Sequence, residues 1–103
     1  GDKTTAVGYI NALRERAYGN TSGDITEADL TLPFILDERS RELLWEGFRR
    51  QDLVRFDQFT ENGIWEWKGG VHDGTTTDKY RDLYPIPSNE LSANPTVKQN
   101  PNY

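Results

Sequence analysis

The chain contains no cysteine and no methionine among its 103 residues. Without cysteine there is no disulfide framework, no thiol nucleophile and no thiolate metal site. Because a translational start residue is also lacking, we expect this sequence to be one piece of a longer protein. No apolar run approaches the roughly 20 residues that a membrane-spanning helix needs. Any attachment to a membrane is therefore expected to lie outside these residues.

Basic charge and aliphatic side chains are also scarce. Twelve basic residues stand against seventeen acidic ones, which gives a net charge of −5, and the basic residues are interleaved with acidic ones. Nucleic-acid binding is therefore disfavoured. Hydrophobic residues make up only 34% of the chain, yet three Trp, five Tyr and four Phe are present. Aromatic side chains must then supply much of the core of one small domain.

Hydrophobic periodicity predicts helices in the first half of the chain. Apolar residues recur at three- and four-residue steps over residues 4–18, and a stop signal follows them. A second helix is predicted over residues 31–47, with Thr31 as its N-cap and Gly47 at its end. A short third helix is predicted over residues 48–56.

The second half of the chain lacks that periodicity. Residues 59–82 form a predicted aromatic loop, in which Trp65 and Trp67 are spaced to share one face of a short strand or extended segment. Residues 83–103 form a predicted extended tail, because each proline pushes the preceding residue out of the α region. Ser88-Asn89-Glu90-Leu91 offers one capped turn within it. We therefore predict a mainly α fold with long irregular loops and little β structure, organised as a single unit over residues 1–103.

The most densely charged segment runs from Asp37 to Phe56, where charged residues are interspersed with large apolar ones at helical spacing. Within it, Glu38, Glu42 and Glu46 stand on one i, i+4 row. Two carboxylates roughly 5 to 9.5 Å apart can hydrolyse a glycosidic bond, provided that both face an open cleft. Arginines stand three or four residues from these carboxylates, so a structural ion-pair network is the favoured interpretation. The predicted network comprises Glu38, Arg39, Glu42, Glu46, Arg49, Asp52 and Arg55.

Trp65 and Trp67 are the candidate ligand-binding residues, because the apolar face of a sugar ring can stack on an indole. The alternative is that these rings close a core that has few aliphatic side chains. His72 has no second histidine and no cysteine with which to share a metal ion, and we interpret it as a solvated loop residue. The sequence therefore predicts no catalytic residue, no metal site and no cofactor.

Three ordered blocks of residues resemble the C-terminal region of the SusD/RagB family of nutrient-binding outer-membrane lipoproteins. The blocks are Asp37-Glu38-Arg39-x-Arg41-Glu42-Leu43, then Glu46-Gly47-Phe48-Arg49-Arg50-x-Asp52-Leu53-x-Arg55-Phe56, and finally Tyr84-Pro85-Ile86-Pro87 with Glu90-Leu91, Asn94-Pro95 and Gln99-Asn100-Pro101-Asn102-Tyr103. The predicted helix at 4–18 is similar to the preceding α-hairpin segment of that family. Many members carry glycine where this chain has Asp57 and Asn102.

The resemblance implies a scaffold of tetratricopeptide-like helical hairpins with long loops, and a binding protein instead of an enzyme. It implies a surface-exposed lipoprotein of the outer membrane, lipid-anchored through an N-terminal region absent from this chain. The ligand it implies is an oligosaccharide, a polysaccharide or another nutrient, and the partner is a TonB-dependent SusC-like transporter. In starch-binding members the main sugar-stacking aromatics lie largely upstream, so the resemblance assigns no binding residue here. The alternative is a structural or interaction module that buttresses the scaffold and contacts the transporter without binding sugar.

Overall fold

The computed structural model describes residues 1–103, and its regular elements are all helical. No β-strand is present, so the predicted mainly α class with long loops is confirmed. The elements are α1 (Lys3–Tyr18), a 3-10 helix (Thr21–Gly23), α2 (Leu32–Glu42), α3 (Arg49–Arg55), two 3-10 helices (Lys68–Gly70 and Lys79–Asp82) and α4 (Ser88–Ala93). None of these helices combines the length and the apolar content that spanning a lipid bilayer requires.

The chain divides into two compact units, Gly1–Gly47 and Phe48–Tyr103, where the sequence led us to expect one. The buried apolar side chains are Leu30 and Leu36 in the first unit and Leu53 in the second. Because hydrophobic stabilisation scales with the apolar area removed from water, such small cores contribute little by themselves. Polar contacts and the packing of aromatic rings therefore provide much of the stabilisation within each unit.

α1 begins one residue before the predicted range of 4–18 and ends at the same residue, Tyr18. Asp2 is the N-cap, and its carboxylate accepts a hydrogen bond from the backbone N–H of Thr5 at 3.3 Å. At the other end Gly19 has a left-handed backbone with φ of 72°, and its N–H donates to a carbonyl of the last turn at 2.8 Å. Both ends therefore carry recognised helix-capping contacts.

α2 ends at Glu42, five residues before its predicted end at Gly47. The turn 43–47 follows, in which Trp45 has φ of 68° and Gly47 has φ of 79°. Both values lie in the left-handed region, through which a right-handed helix cannot continue. For a residue other than glycine, that conformation costs on the order of 1 to 3 kcal/mol. The helix predicted over residues 31–47 is therefore too long.

Side-chain amides take the place of strand pairing at two points. In the first unit Asn11 accepts a hydrogen bond from the N–H of Ile25 at 2.9 Å and donates to the carbonyl of Ile25 at 3.1 Å. In the second unit Gln99 accepts from the N–H of Ile86 at 2.8 Å and donates to the carbonyl of Ile86 at 2.9 Å. Each amide thus satisfies both backbone groups of one residue in an irregular segment.

Within the tail at 83–103, α4 (Ser88–Ala93) forms where the sequence predicts one capped turn over residues 88–91, and it extends two residues further. Beyond α4 the hydroxyl of Tyr103 donates to the carbonyl of Leu83 at 2.7 Å. The ring of Tyr103 also meets the ring of Tyr80 edge to face, with 4.9 Å between the centroids. The last residue of the chain is therefore fastened to the second unit.

Asp57 and Asn102 both have left-handed backbones, with φ of 57° and 70°. Aspartate and asparagine tolerate this conformation better than most residues other than glycine. Glycine adopts it without steric cost. The side chains of Asp57 and Asn102 are therefore among those that suit this local backbone.

Candidate functional site

The charged segment of the first unit is organised around Arg14, which lies outside that segment on α1. Its guanidinium donates to a carboxylate oxygen of Glu38 at 2.6 Å, and Arg41 donates to the same oxygen at 2.6 Å. The side chains of Arg14 and Glu38 are only 14% and 11% exposed, so this pair is shielded from water. Arg14 also donates to the carbonyl of Gly23, and its guanidinium lies 5.7 Å from the ring centroid of Phe34. One arginine thus joins α1, α2 and the loop between them.

The three carboxylates of the predicted row do not share one face of a helix in the structure. Glu38 is buried in its pair with Arg14. Glu42 accepts from Arg16 on α1 at 2.5 Å. Glu46 lies beyond the end of α2, exposed in the turn 43–47. The row therefore ends with the helix, and Glu38 is engaged by arginines instead of being open to a substrate.

The remaining members of the predicted network lie on α2 and α3. Arg39 is half-buried on α2, and Arg49 is exposed at the start of α3. α3 is one residue shorter at each end than the predicted range of 48–56. Asp52 is buried and accepts from Arg55 at 2.8 Å across one helical turn. A carboxylate held in this way by its own helix supports the scaffold.

Arg50 connects α3 to both ends of the aromatic loop. Its guanidinium donates to the backbone carbonyls of Arg81 and Asp82 at 3.1 and 3.0 Å. It also lies between two rings, 3.8 Å from the centroid of Tyr84 and 4.7 Å from the centroid of Phe59. Phe59 opens the loop and Tyr84 follows its end, so this cation–π arrangement holds the loop in place.

Trp65 and Trp67 lie in a turn of the aromatic loop, whereas their spacing predicts one face of a short strand or of an extended loop. The N–H of Lys68 donates to the carbonyl of Trp65 at 3.1 Å, which closes the turn. The ring of Trp65 tilts against the ring of Phe59 with centroids 6.2 Å apart, and the ammonium of Lys68 lies 4.5 Å from the Trp65 ring centroid. Trp65 nevertheless remains 39% exposed, so part of its indole is open to solvent.

Trp67 is the more open of the two tryptophans, with 65% of its surface exposed. Its ring meets the ring of His72 edge to face, with 5.1 Å between the centroids. The Nδ1 atom of His72 lies 2.8 Å from a carboxylate oxygen of Asp73, which places hydrogen-bonding groups beside the indole. The backbone of Trp67 is left-handed, with φ of 65°. The exposed face of the Trp67 indole therefore has hydrogen-bonding side chains beside it.

Lys68 holds the loop from inside, and its side chain is buried. Its ammonium donates to the carbonyl of Thr60 at 2.6 Å and to the carbonyl of Gly63. Burial lowers the pKa of Lys68 below its usual 10.5, and the negative charge of Asp82 offsets part of that effect. Thr60 is itself buried and donates through its hydroxyl to Asp82 at 3.1 Å. The aromatic loop is therefore built on a polar core that fixes the turn carrying Trp65.

Gly74 brings the two sides of the loop into close contact. A Cβ atom at this position would clash with the carbonyl oxygen of Trp65, and the φ of Gly74 is 76°. The next residue, Thr75, donates its N–H to the carbonyl of Lys68 at 3.1 Å. Because only glycine fits both the left-handed backbone and the close approach, Gly74 determines how the turn at Trp65 is held.

Comparison with known proteins identifies the family of the chain. Residues 1–103 match the sequence model of the SusD family. The chain belongs to the SusD family. It is 43% identical over 100 residues to a protein named starch-binding protein SusD, from Bacteroides thetaiotaomicron, and the match covers 95% of this chain and 17% of that protein. It is 34% identical over 111 residues to SusD-like protein P38 from Formosa agariphila, which covers 100% of this chain and 20% of that protein.

Membership of the SusD family confirms the resemblance that the three sequence blocks indicated. The chain spans about a fifth of the length of these SusD-family relatives. In the structure, the residues of the blocks hold the scaffold together: Glu38 pairs with Arg14, Asp52 pairs with Arg55, and Gln99 binds the backbone of the extended segment. At least one residue of each block therefore makes a contact within this chain.

Two side chains that organise the structure were absent from the prediction. Arg14 stands four residues after Ile10 on the apolar stripe of α1, and this spacing places it on the inward face. That signal was available in the sequence. Lys68 stands in an aperiodic stretch, and its burial depends on carbonyls five and eight residues earlier in the chain. No local pattern indicates it.

Proposed function

We propose that this chain is part of a glycan-binding component of a nutrient-uptake system in a bacterial outer membrane. The observation that carries the proposal is Trp67, whose exposed indole lies beside the hydrogen-bonding groups of His72 and Asp73. Trp65 offers a second, partly open aromatic surface in the same loop. One matched relative is named a starch-binding protein, which supports a carbohydrate as the ligand class.

Binding without bond cleavage is the proposed mode of action. Stacking and a few hydrogen bonds are enough to hold a sugar, whereas hydrolysis needs a general acid and a second carboxylate at a defined separation. The engagement of Glu38 by Arg14 and Arg41 supports this proposal, because it leaves that carboxylate a structural role. The proposed ligand is an oligosaccharide or polysaccharide, which is released from the protein without any bond being cleaved.

The proposed partner is a TonB-dependent SusC-like transporter, and the proposed location is the outside of the cell. Lipid anchoring would take place through an N-terminal region outside these residues. Family membership is the support for the partner, the location and the anchoring. Affinity isolation of the full-length protein from detergent-solubilised outer membranes tests the partnership. Recovery without any TonB-dependent transporter would contradict the partnership.

Glycan binding is tested with the full-length protein on a glycan array, followed by titration calorimetry with the best ligand. We expect Trp67→Ala to weaken binding about tenfold or more, which corresponds to about 1.4 kcal/mol. A smaller loss is expected for Trp65→Ala, because its ring is partly covered by Phe59 and Lys68. The matched control is Tyr9→Ala, which removes an aromatic ring that is 72% exposed on α1.

A second candidate is a structural module that buttresses the scaffold and contacts the transporter without touching sugar. The packing of Trp65 on Phe59 and Lys68 favours it, because these contacts give the ring a role within the loop. The double variant Trp65→Ala/Trp67→Ala separates the two functions. Unchanged glycan affinity, together with a lower melting temperature, would assign both rings to packing and support the structural module.

A further inference from the structure

The turn 43–47 presents two large apolar side chains to solvent. Trp45 is 96% exposed and Leu44 is 68% exposed. An indole offers about 150 to 250 Å² of surface that is favourably buried, so a tryptophan without cover is costly in an isolated domain. The binding role proposed above for Trp67 and Trp65 does not extend to this turn, which belongs to the other unit.

The turn is also built to project its side chains. Trp45 has φ of 68° and Gly47 has φ of 79°, and the N–H of Glu46 donates to the carbonyl of Leu43 at 3.1 Å. A left-handed tryptophan persists only where other interactions compensate for it. With its ring exposed, Trp45 contributes almost no packing of its own within the first unit. The hydrogen bond of the turn holds its backbone but leaves the indole of Trp45 open to a further contact.

The surroundings of Trp45 favour a protein surface as the cover. Its neighbour Leu44 is aliphatic and offers no hydrogen bond to a sugar hydroxyl. The first unit buries only Leu30 and Leu36 while leaving Leu32 68% exposed, so it lacks apolar cover more generally. Buried tryptophans surrounded by smaller apolar contacts are typical anchors of protein interfaces.

We propose that Leu44 and Trp45 insert into an apolar pocket formed by the rest of the same SusD-family polypeptide. The length of the relatives supports this occupant, because this chain matches only 17% and 20% of the two proteins compared. Most of a full-length member is therefore available to cover the turn. This anchor is a proposal separate from glycan binding, which is assigned to Trp67 in the second unit.

Hydroxyl-radical footprinting of the full-length protein tests the proposal, with oxidation at each tryptophan read by mass spectrometry. We expect Trp45 to be oxidised several-fold more slowly than Trp67, although Trp45 is the more exposed of the two within this chain. Trp67 is the internal control. Equal or faster oxidation of Trp45 would overturn the proposal. Protection of Trp45 only at high protein concentration would also overturn it, because the cover would then be a second copy of the protein. Protection only in the presence of glycan would overturn it too, because the turn would then be a ligand site.

Substitutions in the full-length protein provide an independent measurement. Trp45→Ala is expected to lower the melting temperature by several degrees, Trp45→Phe by clearly less, and Trp67→Ala by little. Glycan affinity is expected to be kept in both Trp45 variants that remain folded. An unchanged melting temperature for Trp45→Ala would overturn the anchor. Failure of glycan binding alone would count against the proposed function and leave the anchor intact.

Discussion

Arg14 shows how one side chain can replace part of an apolar core. It is 14% exposed, and it reaches Glu38, a backbone carbonyl and the ring of Phe34. A buried ion pair contributes to stability only while its partners are matched, because an unpaired buried charge is strongly unfavourable. Glu38 also has Arg41, which is 57% exposed and therefore a weaker partner. Because the apolar core of the first unit is small, the stability of that unit depends strongly on the contacts of Arg14.

At this scale we expect Arg14→Met to destabilise the protein by about 3 kcal/mol, because it leaves Glu38 with one solvent-exposed partner. Urea unfolding followed by circular dichroism measures the effect. The control is Arg16→Met, which removes an exposed pair with Glu42 and should cost about 1 kcal/mol or less. Equal losses in the two variants would contradict the special role of Arg14.

Trp45 and Trp67 share a left-handed backbone, which is uncommon for a large side chain. The left-handed conformation of these two residues could not be predicted from the sequence, because helical and strand periodicities describe only right-handed or extended residues. Strained residues of this kind cluster at functional places, where the surrounding structure maintains them. Here they lie in the turn 43–47 and in the aromatic loop. We propose that the turn contacts the rest of the polypeptide and that the loop binds a glycan.

At the scale of elements, the aromatic loop depends on how closely its two sides approach. We expect Gly74→Ala to shift the turn at Trp65 and to lower glycan affinity, because the added Cβ would clash with the Trp65 carbonyl. Gly70→Ala is the matched control, since Gly70 has φ of 77° but no atom within 4 Å of an added Cβ. Calorimetric titration of both variants separates backbone strain from the clash. A similar loss in both would contradict the close-approach argument.

The connection between the end of α3 and the following loop is expected to depend on pH. Lys79 donates to Asp57 and lies 3.0 Å from a carboxylate oxygen of Asp82. The hydrogen bond from Lys79 lowers the pKa of Asp57 below 3.8, and the bonds to Asp57 and Asp82 raise the pKa of Lys79. The contribution of Asp57 to stability is therefore complete above pH 3.8 and is lost as the pH falls through the lowered pKa. That of Lys79 is complete below 10.5 and is lost at higher pH.

We therefore expect Asp57→Asn to flatten the fall in unfolding free energy as the pH is lowered below about 4. Urea denaturation at a series of pH values measures this slope. Asp78→Asn, which changes an exposed aspartate in the same unit, is the control. An identical slope in the parent and in Asp57→Asn would show that the exposed pair contributes nothing measurable.

Local elements were largely predictable, and contacts between elements were not. α1 and α3 have clear apolar spacing and lie within one residue of their predicted ends. α2 is shorter than predicted because its end is set by backbone angles at Trp45 and Gly47. The ion pair of Arg14 with Glu38 joins residues 24 positions apart, whereas i, i+3 and i, i+4 rules detect only pairs within one helix. The surroundings of the candidate site tryptophans were likewise set by distant residues such as Gly74.

At the scale of the whole molecule, the net charge of −5 bears on the choice of ligand. Given the proposed function, we expect tighter binding of a neutral polysaccharide than of a sulfated one with the same backbone at low ionic strength. The difference should narrow as salt is added, because salt screens charge repulsion. Affinity electrophoresis across a salt series measures both effects. Tighter binding of the sulfated chain at low salt would contradict this expectation.

The pairing of Gln99 with Ile86 has a further consequence for the behaviour of the chain in solution. Pro85 and Pro87 have no backbone N–H, and the N–H of Ile86 already donates to the Gln99 amide. Three successive residues of an extended segment therefore offer no donor to a neighbouring molecule. Extended segments with free backbone groups are templates for edge-to-edge aggregation. A single glutamine side chain, bound to the backbone of the residue between two prolines, protects this segment from edge-to-edge aggregation.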